Sequence, residues 1–410
     1  MPLAPARPQP PSRSVAPVSG GVFTRAGLHS AAVFGLTFSA LGAHLPFWPP
    51  WLESWGLSSA EVGSYMAATM VVRVIAGGAL PILADRLDAR RATLAVVLGL
   101  GAAIFLSHFW IESRALLLIA TLASGIVYAG MVPLSDALGS ASARHDRFPY
   151  AQARAFGSLA FVLANLAVGT LIARLGPDVV VWWIVISLSL AVWLAWTHPG
   201  GGKVRTEPPN FREIGLLMRH PVFILFVLAI GCAQSSHAVL YAYGSIHWLA
   251  RGISEPVVGQ LWAFAVAVEV ALMFVLGARI VAWLGPVGAI AASAMAGILR
   301  WGVMIFDPVG WDLWALQLLH AVTFAVGHLG AIAFIAAAVP ERMSATAQGI
   351  FGAAFGGILM AVGTAAAAWA YPRFGGGAYA VALAMSALGL LFSVWLHRRW
   401  RGAPLHLALR

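Results

Sequence analysis

Charged and titratable side chains interrupt the apolar stretches of this 410-residue chain at only a few positions. In chain order these are His44, Arg73, Asp136, Arg154, His237, Glu269, Arg300, His320 and His328. A charged side chain at the centre of a bilayer costs ~2.5–3.5 kcal/mol on insertion scales, so each one calls for a function or a partner. We find no convincing nucleophile–base set or metal cluster among them. This argues against an enzyme and predicts neither cofactor nor metal.

Asp136 and Arg154 form the first candidate pair. They lie nine residues on either side of His145, the centre of a short polar turn. On two antiparallel helices they would sit at equal depth and could pair. Geometry alone leaves two interpretations open, a salt bridge that holds the helical hairpin together and a polar pair that binds a solute.

Glu269, Arg300 and His320 form the second candidate group. At 1.5 Å per residue they lie ~20, ~9 and ~12 Å from the outer ends of their predicted helices. These depths allow one connected group, either direct or through water. A structural polar network is one interpretation. An acid beside a histidine at mid-bilayer favours the other, a proton relay. His328, two turns below His320, either extends this relay or bonds to a neighbouring helix.

The composition identifies the environment of these side chains. Sixty per cent of the residues are hydrophobic, 10% are charged and the mean hydropathy is +0.84, whereas soluble chains carry roughly 25% charged residues. A membrane protein is therefore predicted, with the lipid bilayer as its solvent. The net charge of +10 is spread between apolar blocks, which argues against nucleic acid as a partner. The single cysteine, Cys232, excludes an intramolecular disulfide.

An all-α membrane protein of twelve transmembrane helices follows from the apolar windows of about 20 residues. The predicted spans are 27–50, 60–84, 92–110, 115–140, 150–173, 179–197, 221–244, 256–280, 286–306, 312–338, 345–371 and 377–397. The prolines at 46, 49 and 50 are expected to break the first helix near its outer end.

The distribution of basic residues predicts the orientation. With the N-terminus in the cytoplasm, eighteen of the 25 Lys and Arg residues fall in inside segments and four in outside loops. The remaining three, Arg73, Arg154 and Arg300, lie within spans. Both termini are therefore expected in the cytoplasm. No signal-peptide core precedes the first predicted helix.

An internal repeat divides the chain into two halves. W-L-E-S-W-G-L-S-S-A-E-V-G at 51–63 resembles W-L-A-R-G-I-S-E-P-V-V-G at 248–259, with Ser58, Val62 and Gly63 matched at an offset of 196. Parallel repeats with a substrate site between them are a known transporter plan. The predicted divisions are a disordered cytoplasmic tail (1–24), a six-helix bundle (25–197), a cytoplasmic linker (198–219), a second six-helix bundle (220–400) and a cytoplasmic tail (401–410).

A family resemblance begins in the loop between predicted helices 2 and 3. P-I-L-A-D-R-L-D-A-R-R at 81–91 resembles the major facilitator superfamily signature G-x-L-A-D-R-x-G-R-R. Asp85, Arg86, Arg90 and Arg91 match it, and the resemblance implies that they form a gating loop. Pro81 and Asp88-Ala89 depart from the signature at its two glycine positions.

Further segments resemble the phenylpropionate permease group, relatives of the lactose permease. They are P-L-S-D-A-L (133–138), Y-A-Q-A-R-A-F-G-S-L-A-F (150–161), Q-S-S-H-A-V-L-Y-A-Y-G-S-I-H-W (234–248), L-W-A-F-A-V-A-V-E-V (261–270), L-R-W (299–301) and L-Q-L-L-H-A-V-T-F (316–324). The resemblance implies substrate binding by Asp136, Arg154, His237 and Tyr241. It implies proton coupling by Glu269, Arg300 and His320. Lactose permease has a further acid where this chain has Thr323, so its proton chemistry does not transfer unchanged.

The resemblance thus implies two pseudo-symmetric six-helix bundles of the major facilitator fold, with helices 1, 4, 7 and 10 lining a central cavity. The expected function is proton-coupled uptake of a small organic solute by alternating access, with an aromatic carboxylate such as 3-phenylpropionate favoured. A saccharide or nucleoside symporter and a proton-driven efflux antiporter are the alternatives. We expect a monomer in the bacterial inner membrane, with protons and the solute as its partners.

Overall fold

The computed structural model describes residues 21–87, 89–200 and 211–405. Within these ranges all the regular structure is helical. The α-helices are α1 (Arg25–Ser54), α2 (Ser59–Arg86), α3 (Arg90–Ser107), α4 (Arg114–Asp146), α5 (Tyr150–Leu175), α6 (Val179–Trp196), α7 (Phe211–Arg219), α8 (Pro221–Ser235), α9 (Ser245–Ala250), α10 (Glu255–Met304), α11 (Trp311–His320), α12 (Gly327–Ala338), α13 (Ser344–Ala353), α14 (Met360–Phe374) and α15 (Tyr379–Arg399).

Nine helical stretches of the described residues are long and apolar enough to cross a membrane. Two of them, Glu255–Met304 and Glu341–Arg399, contain 50 and 59 residues, more than twice the length that a bilayer needs. Gly285, at φ 69° and ψ 170°, interrupts the first of these, and Gly375, at φ 54°, interrupts the second. Each stretch therefore provides two crossings. With α2, which has 28 residues, the described helices are consistent with the predicted twelve crossings.

Helix starts recur along the chain at a fixed interval. Helices α1, α2 and α3 begin at residues 25, 59 and 90. Helices α8 and α10 begin at 221 and 255, and α10 resumes at Pro286 after Gly285, so the offset is 196 each time. This agrees with the repeat seen in the sequence, and the division into two bundles stays a prediction. The predicted linker contains α7, while its residues 201–210 lie outside the described part, as do 1–20 and 406–410 of the two tails.

The two halves meet along α5 with α10 and along α2 with α14. The closest approaches lie at the end of the bundle opposite the termini, which we call the far end. A Cβ atom at Gly259 of α10 would lie 2.3 Å from the Asn165 carbonyl oxygen of α5, and one at Gly63 of α2 would lie 2.6 Å from Ala368 of α14. Only glycine permits such contacts, so the halves are tightly closed at the far end.

Toward the other end, which we call the near end, the packing around α13 is more open. A Cβ atom at Gly352 or Gly356 would meet no other atom within 4 Å, whereas one at Gly357 would lie 2.8 Å from Val74 of α2. The inter-half contacts of these glycines are thus less close than those of Gly63 and Gly259 at the far end.

The first helix corrects one expectation. Helix α1 runs without a break through Pro46, Pro49 and Pro50 to Ser54. Each proline removes a single backbone hydrogen bond to the residue four positions earlier. Pro46, Pro49 and the neighbouring Trp48 are buried, and this packing holds the last turns helical.

Three turns of π-helix, which the sequence did not predict, interrupt the second half. They span Leu240–Gly244, Ala321–Val326 and Ala354–Leu359. Such turns insert one extra residue into a helix and are frequent at functional sites. The first follows His237 and contains Tyr241, and the second directly follows His320, so two of them redirect candidate site residues.

Candidate functional site

Arg300 of α10 is the centre of a buried polar cluster. Its side chain is fully buried, and its guanidinium donates to His320 Nδ1 at 3.1 Å, Thr323 Oγ1 at 3.2 Å and Gln317 Oε1 at 2.9 Å. The Trp301 ring centroid lies 4.5 Å from its Cζ. Burial of an unpaired charge is strongly unfavourable, so these contacts explain how an arginine is held within the span.

The contacts of His320 determine which ring nitrogen carries its proton. Arg300 can only donate, so His320 Nδ1 accepts and the proton of the neutral ring sits on Nε2. That nitrogen lies 3.2 Å from Glu269 Oε2 and donates to it. Glu269, His320 and Arg300 therefore form one directly connected chain, as the depths of these residues in the sequence allowed. Their role in proton coupling stays a prediction.

His237 belongs to the same cluster. Its Nε2 lies 3.1 Å from Thr323 Oγ1 and 3.5 Å from Arg300, while its Nδ1 lies 2.9 Å from the Gln234 carbonyl oxygen and donates to it. The Tyr241 ring is 5.7 Å from the His237 ring. Two of the four residues predicted to bind substrate, His237 and Tyr241, thus adjoin the predicted coupling group.

Sequence reasoning missed Gln317 and Thr323 as partners of Arg300. Both lie three residues from His320, which places them on the same face of the helix. The three-residue spacing from His320 is the sequence feature that could have identified Gln317 and Thr323 as members of the cluster. Thr323 contacts Arg300 and His237, so a neutral hydroxyl occupies the position where lactose permease carries an acid.

Asp136 of α4 and Arg154 of α5 are paired, with Arg154 Nε 3.3 Å from Asp136 Oδ1. Tyr150, which the sequence analysis did not single out, donates its hydroxyl to the same carboxylate oxygen at 2.8 Å. The Arg154 guanidinium lies 3.9 Å from the centroid of the Phe38 ring of α1. The two charged side chains are 30% and 38% exposed, so the pair is accessible to a solute as well as able to join the helices.

The helix of Arg154 also contacts the helix that carries the cluster of the other half. Helix α5 packs along α10, which carries Glu269 and Arg300. The His328 ring packs 6.2 Å from Phe351. The predicted coupling acid Glu269 therefore lies on a helix that is in contact with the helix of Arg154.

The predicted gating loop is described in part. Arg91 donates to the His198 carbonyl oxygen at 3.0 Å, Arg86 is exposed and Arg90 has a partner, whereas the Asp85 side chain lies outside the described residues. His198, which follows α6, bonds to Ser30 Oγ at 3.0 Å. Burial lowers the pKa of His198 to about 4. The loop is thereby attached to the ends of α1 and α6, while its gating role stays a prediction.

His44 lies in an aromatic stack apart from these groups. Its ring packs 5.4 Å from Trp48 and 4.1 Å from Tyr128, which suits a packing role. An apolar groove of about 1150 Å³ lies between α1 and α5, lined largely by Leu and Ala side chains, and it suits lipid chains better than a polar solute. In the described residues no group of three His, Cys, Asp or Glu side chains could hold a metal ion.

Comparisons with known proteins agree with this architecture. Residues 29–378 match the MFS_1-like family. The chain is 30% identical over 362 residues to a probable 3-phenylpropionic acid transporter of Escherichia coli, covering 87% of this chain and 93% of the relative. It is 26% identical over 330 residues to a maltose permease of Geobacillus stearothermophilus, covering 79% and 82% of the two chains.

Solved structures share the fold at lower identity. The nucleoside transporter NupG superposes with a TM-score of 0.74 at 14% identity, over 92% of this chain and all of the other. A D-xylose–proton symporter superposes with a TM-score of 0.64 at 17% identity, over 92% and 97% of the two chains. These structures therefore share the overall fold of this chain.

Proposed function

Because the chain belongs to the MFS_1-like family of major facilitator transporters, and is thus a multi-pass membrane transporter and not an enzyme, we propose that it takes up an aromatic carboxylate together with protons. The relative that is 30% identical is named as a probable 3-phenylpropionic acid transporter. This supports 3-phenylpropionate as the substrate to test first.

The observation that carries the proposal is the directly connected chain from Glu269 through His320 to Arg300. A proton carrier must change its protonation state during the cycle, and a deep carboxylate does so when the cations around it move. In our proposal Glu269 takes up the proton. His320, which donates to it through Nε2, orients the carboxylate or passes the proton on.

Arg154 provides the proposed connection between substrate and proton. In this structure it pairs with Asp136, and its helix α5 packs along α10, which carries Glu269. A solute that binds at Asp136 and Arg154 and contacts His237 and Tyr241 changes the position of Arg154 relative to Glu269. Binding of the solute and protonation of Glu269 then depend on each other, which is the requirement for symport.

Alternating access completes the proposal. The halves are in tight contact at the far end through Gly63 and Gly259. With both termini in the cytoplasm of a bacterial cell, this is an inward-facing arrangement. Reorientation of the two bundles about the central site, with α1, α4, α8 and α11–α12 lining the cavity, would open the opposite face. We propose that the chain works in the inner membrane as a monomer.

The test is transport by the purified chain in proteoliposomes with an alkaline interior. Labelled 3-phenylpropionate should accumulate faster than in protein-free liposomes, which report diffusion of the neutral acid. Uphill accumulation of maltose or uridine instead would favour the saccharide or nucleoside alternative, which the maltose permease relative supports. Accumulation that needs an acidic interior would identify proton-driven efflux.

A further inference from the structure

Arg73 of α2 is a cation inside the membrane that neither the coupling group nor the Asp136–Arg154 pair uses. It lies 14 residues into the helix, ~21 Å along its axis. The lipid-facing side of α2 is marked by Val71 and Ile75, which are 55% and 73% exposed. Arg73 is two residues from each, or ~200° around the helix. Its side chain therefore points toward the interior of the bundle.

In the part of the chain that the structure describes, no carboxylate pairs with Arg73. Its one hydrogen-bond contact is to Met70 Sδ at 3.8 Å, a weak acceptor. Arg300, in contrast, is enclosed by His320, Thr323 and Gln317. Since an intramembrane arginine without a counter-charge is costly, Arg73 is poised for an anion from outside the chain.

The surroundings of Arg73 suit an anion with an apolar tail. Its stem packs on α4, where its Cγ would lie 3.6 Å from a Cβ atom at Gly125. Met70, one turn away, packs with Met360 of α14 and with Tyr241, so residues of both halves meet there. Methionine and tyrosine side chains adapt well to an aromatic ring. A cation thus adjoins an apolar surface shared by the two bundles.

The repeat adds independent support. At the offset of 196 that relates the helix starts, Arg73 corresponds to Glu269, which is also 14 residues into its helix. Glu269 bonds to His320 in the interior. The two halves therefore present opposite charges toward the interior from equivalent positions of α2 and α10.

We infer that Arg73 binds the carboxylate of the transported solute, whose apolar part lies against Met70, Tyr241 and Met360. This rests on the proposed function in taking the solute to be an acid. Through Tyr241 and its neighbour His237, the bound solute would contact the side chains that surround Arg300. Arg73 is thereby a specificity-determining residue that selects acids over neutral solutes.

The test measures binding to the purified full-length chain by calorimetry, using acids and their uncharged amides. The pairs are 3-phenylpropionate with 3-phenylpropanamide and hexanoate with hexanamide, and maltose is the neutral reference. The wild type should prefer an acid to its amide. Arg73→Met should weaken acid binding by ~30-fold or more, the effect of losing hydrogen bonds to a charged group, and should leave the amide nearly unchanged. Arg73→Lys should keep the preference in reduced form.

Arg174→Met, the same change at an exposed arginine near the end of α5, is the matched control and should bind like the wild type. A preference for acids that survives in Arg73→Met refutes the role of Arg73 and leaves the proposed function intact. If the wild type binds hexanoate more tightly than the aromatic acid and Arg73→Met loses this binding, the role of Arg73 is supported. The same result refutes an aromatic acid as the substrate. If the chain binds maltose and none of the acids, both the role of Arg73 and the proposed function are refuted. If Arg73→Met does not fold, retention of the full preference in Arg73→Gln overturns the inference.

Discussion

Replacing Glu269 with glutamine separates its structural contact from its proposed proton chemistry. The His320 Nε2–H donates to Glu269 Oε2 at 3.2 Å, and the amide oxygen of glutamine can accept the same bond. A hydrogen bond to a charged group contributes ~1.5–3 kcal/mol and one between neutral groups ~1 kcal/mol. The variant should therefore lose only ~0.5–2 kcal/mol of unfolding free energy and should still fold.

The effect on transport should be much larger. A gradient of one pH unit supplies ~1.36 kcal/mol per proton, equal to a tenfold concentration ratio. If Glu269 carries one proton per solute, the wild type should approach a ~10-fold concentration ratio per pH unit faster than protein-free liposomes, and Glu269→Gln should approach it no faster than protein-free liposomes. Exchange of labelled against unlabelled substrate, which needs no net proton movement, should continue in the variant.

The assay compares net uptake and exchange in proteoliposomes, with protein-free liposomes subtracted to remove diffusion of the neutral acid. Glu255→Gln, the same change at the far end of the same helix, is the control and should behave like the wild type. The reasoning is refuted if Glu269→Gln still concentrates substrate against its gradient. The carrier would then lie elsewhere, with Asp136 or His320 next in line.

Three further predictions concern other parts of the chain. Arg154→Ala should abolish substrate binding while the protein still folds. The double exchange Asp136→Arg with Arg154→Asp should not restore binding, because the guanidinium would no longer lie over Phe38. Full rescue by this exchange in a binding assay would leave the pair only a structural role. A reporter active only in the periplasm should stay inactive when fused after Arg410 and become active when fused after Arg251, and the reverse pattern would invert the topology. His198 is neutral in the folded state because burial lowers its pKa to about 4, whereas the unfolded chain binds a proton near 6.5; its stabilising contribution is thus present above pH 6.5 and is lost as the pH falls toward 4. Thermal unfolding between pH 7 and pH 4 should accordingly show a smaller decline in His198→Asn than in the wild type, and equal declines would rule out this titration.

The membrane helices could be predicted because the bilayer leaves few alternatives. Backbone groups in lipid must bond within their own segment, so an apolar stretch of sufficient length forms a helix. The regular rise of 1.5 Å per residue also gives the depth of each residue in its helix. These depths placed Glu269, His320 and Arg300 close enough to contact one another. The structure confirms that they form one chain.

Contacts that depend on how helices face one another could not be predicted. Neutral side chains such as Gln317, Thr323 and Tyr150 are unremarkable in an apolar sequence, and only packing shows which of them meet a charge. The π-turn at Ala321–Val326 shifts the helical register locally, which a period of 3.6 residues does not reveal. The lack of a counter-charge at Arg73 emerges only when the carboxylates of the described residues have been located.

The most direct test of the account follows protons and substrate together. In weakly buffered proteoliposomes without an imposed gradient, addition of 3-phenylpropionate should raise the external pH as the wild type carries substrate and protons inward. The signal should exceed that of protein-free liposomes and be absent with Glu269→Gln. Entry of 3-phenylpropionate through the protein without any such pH change would contradict proton-coupled uptake.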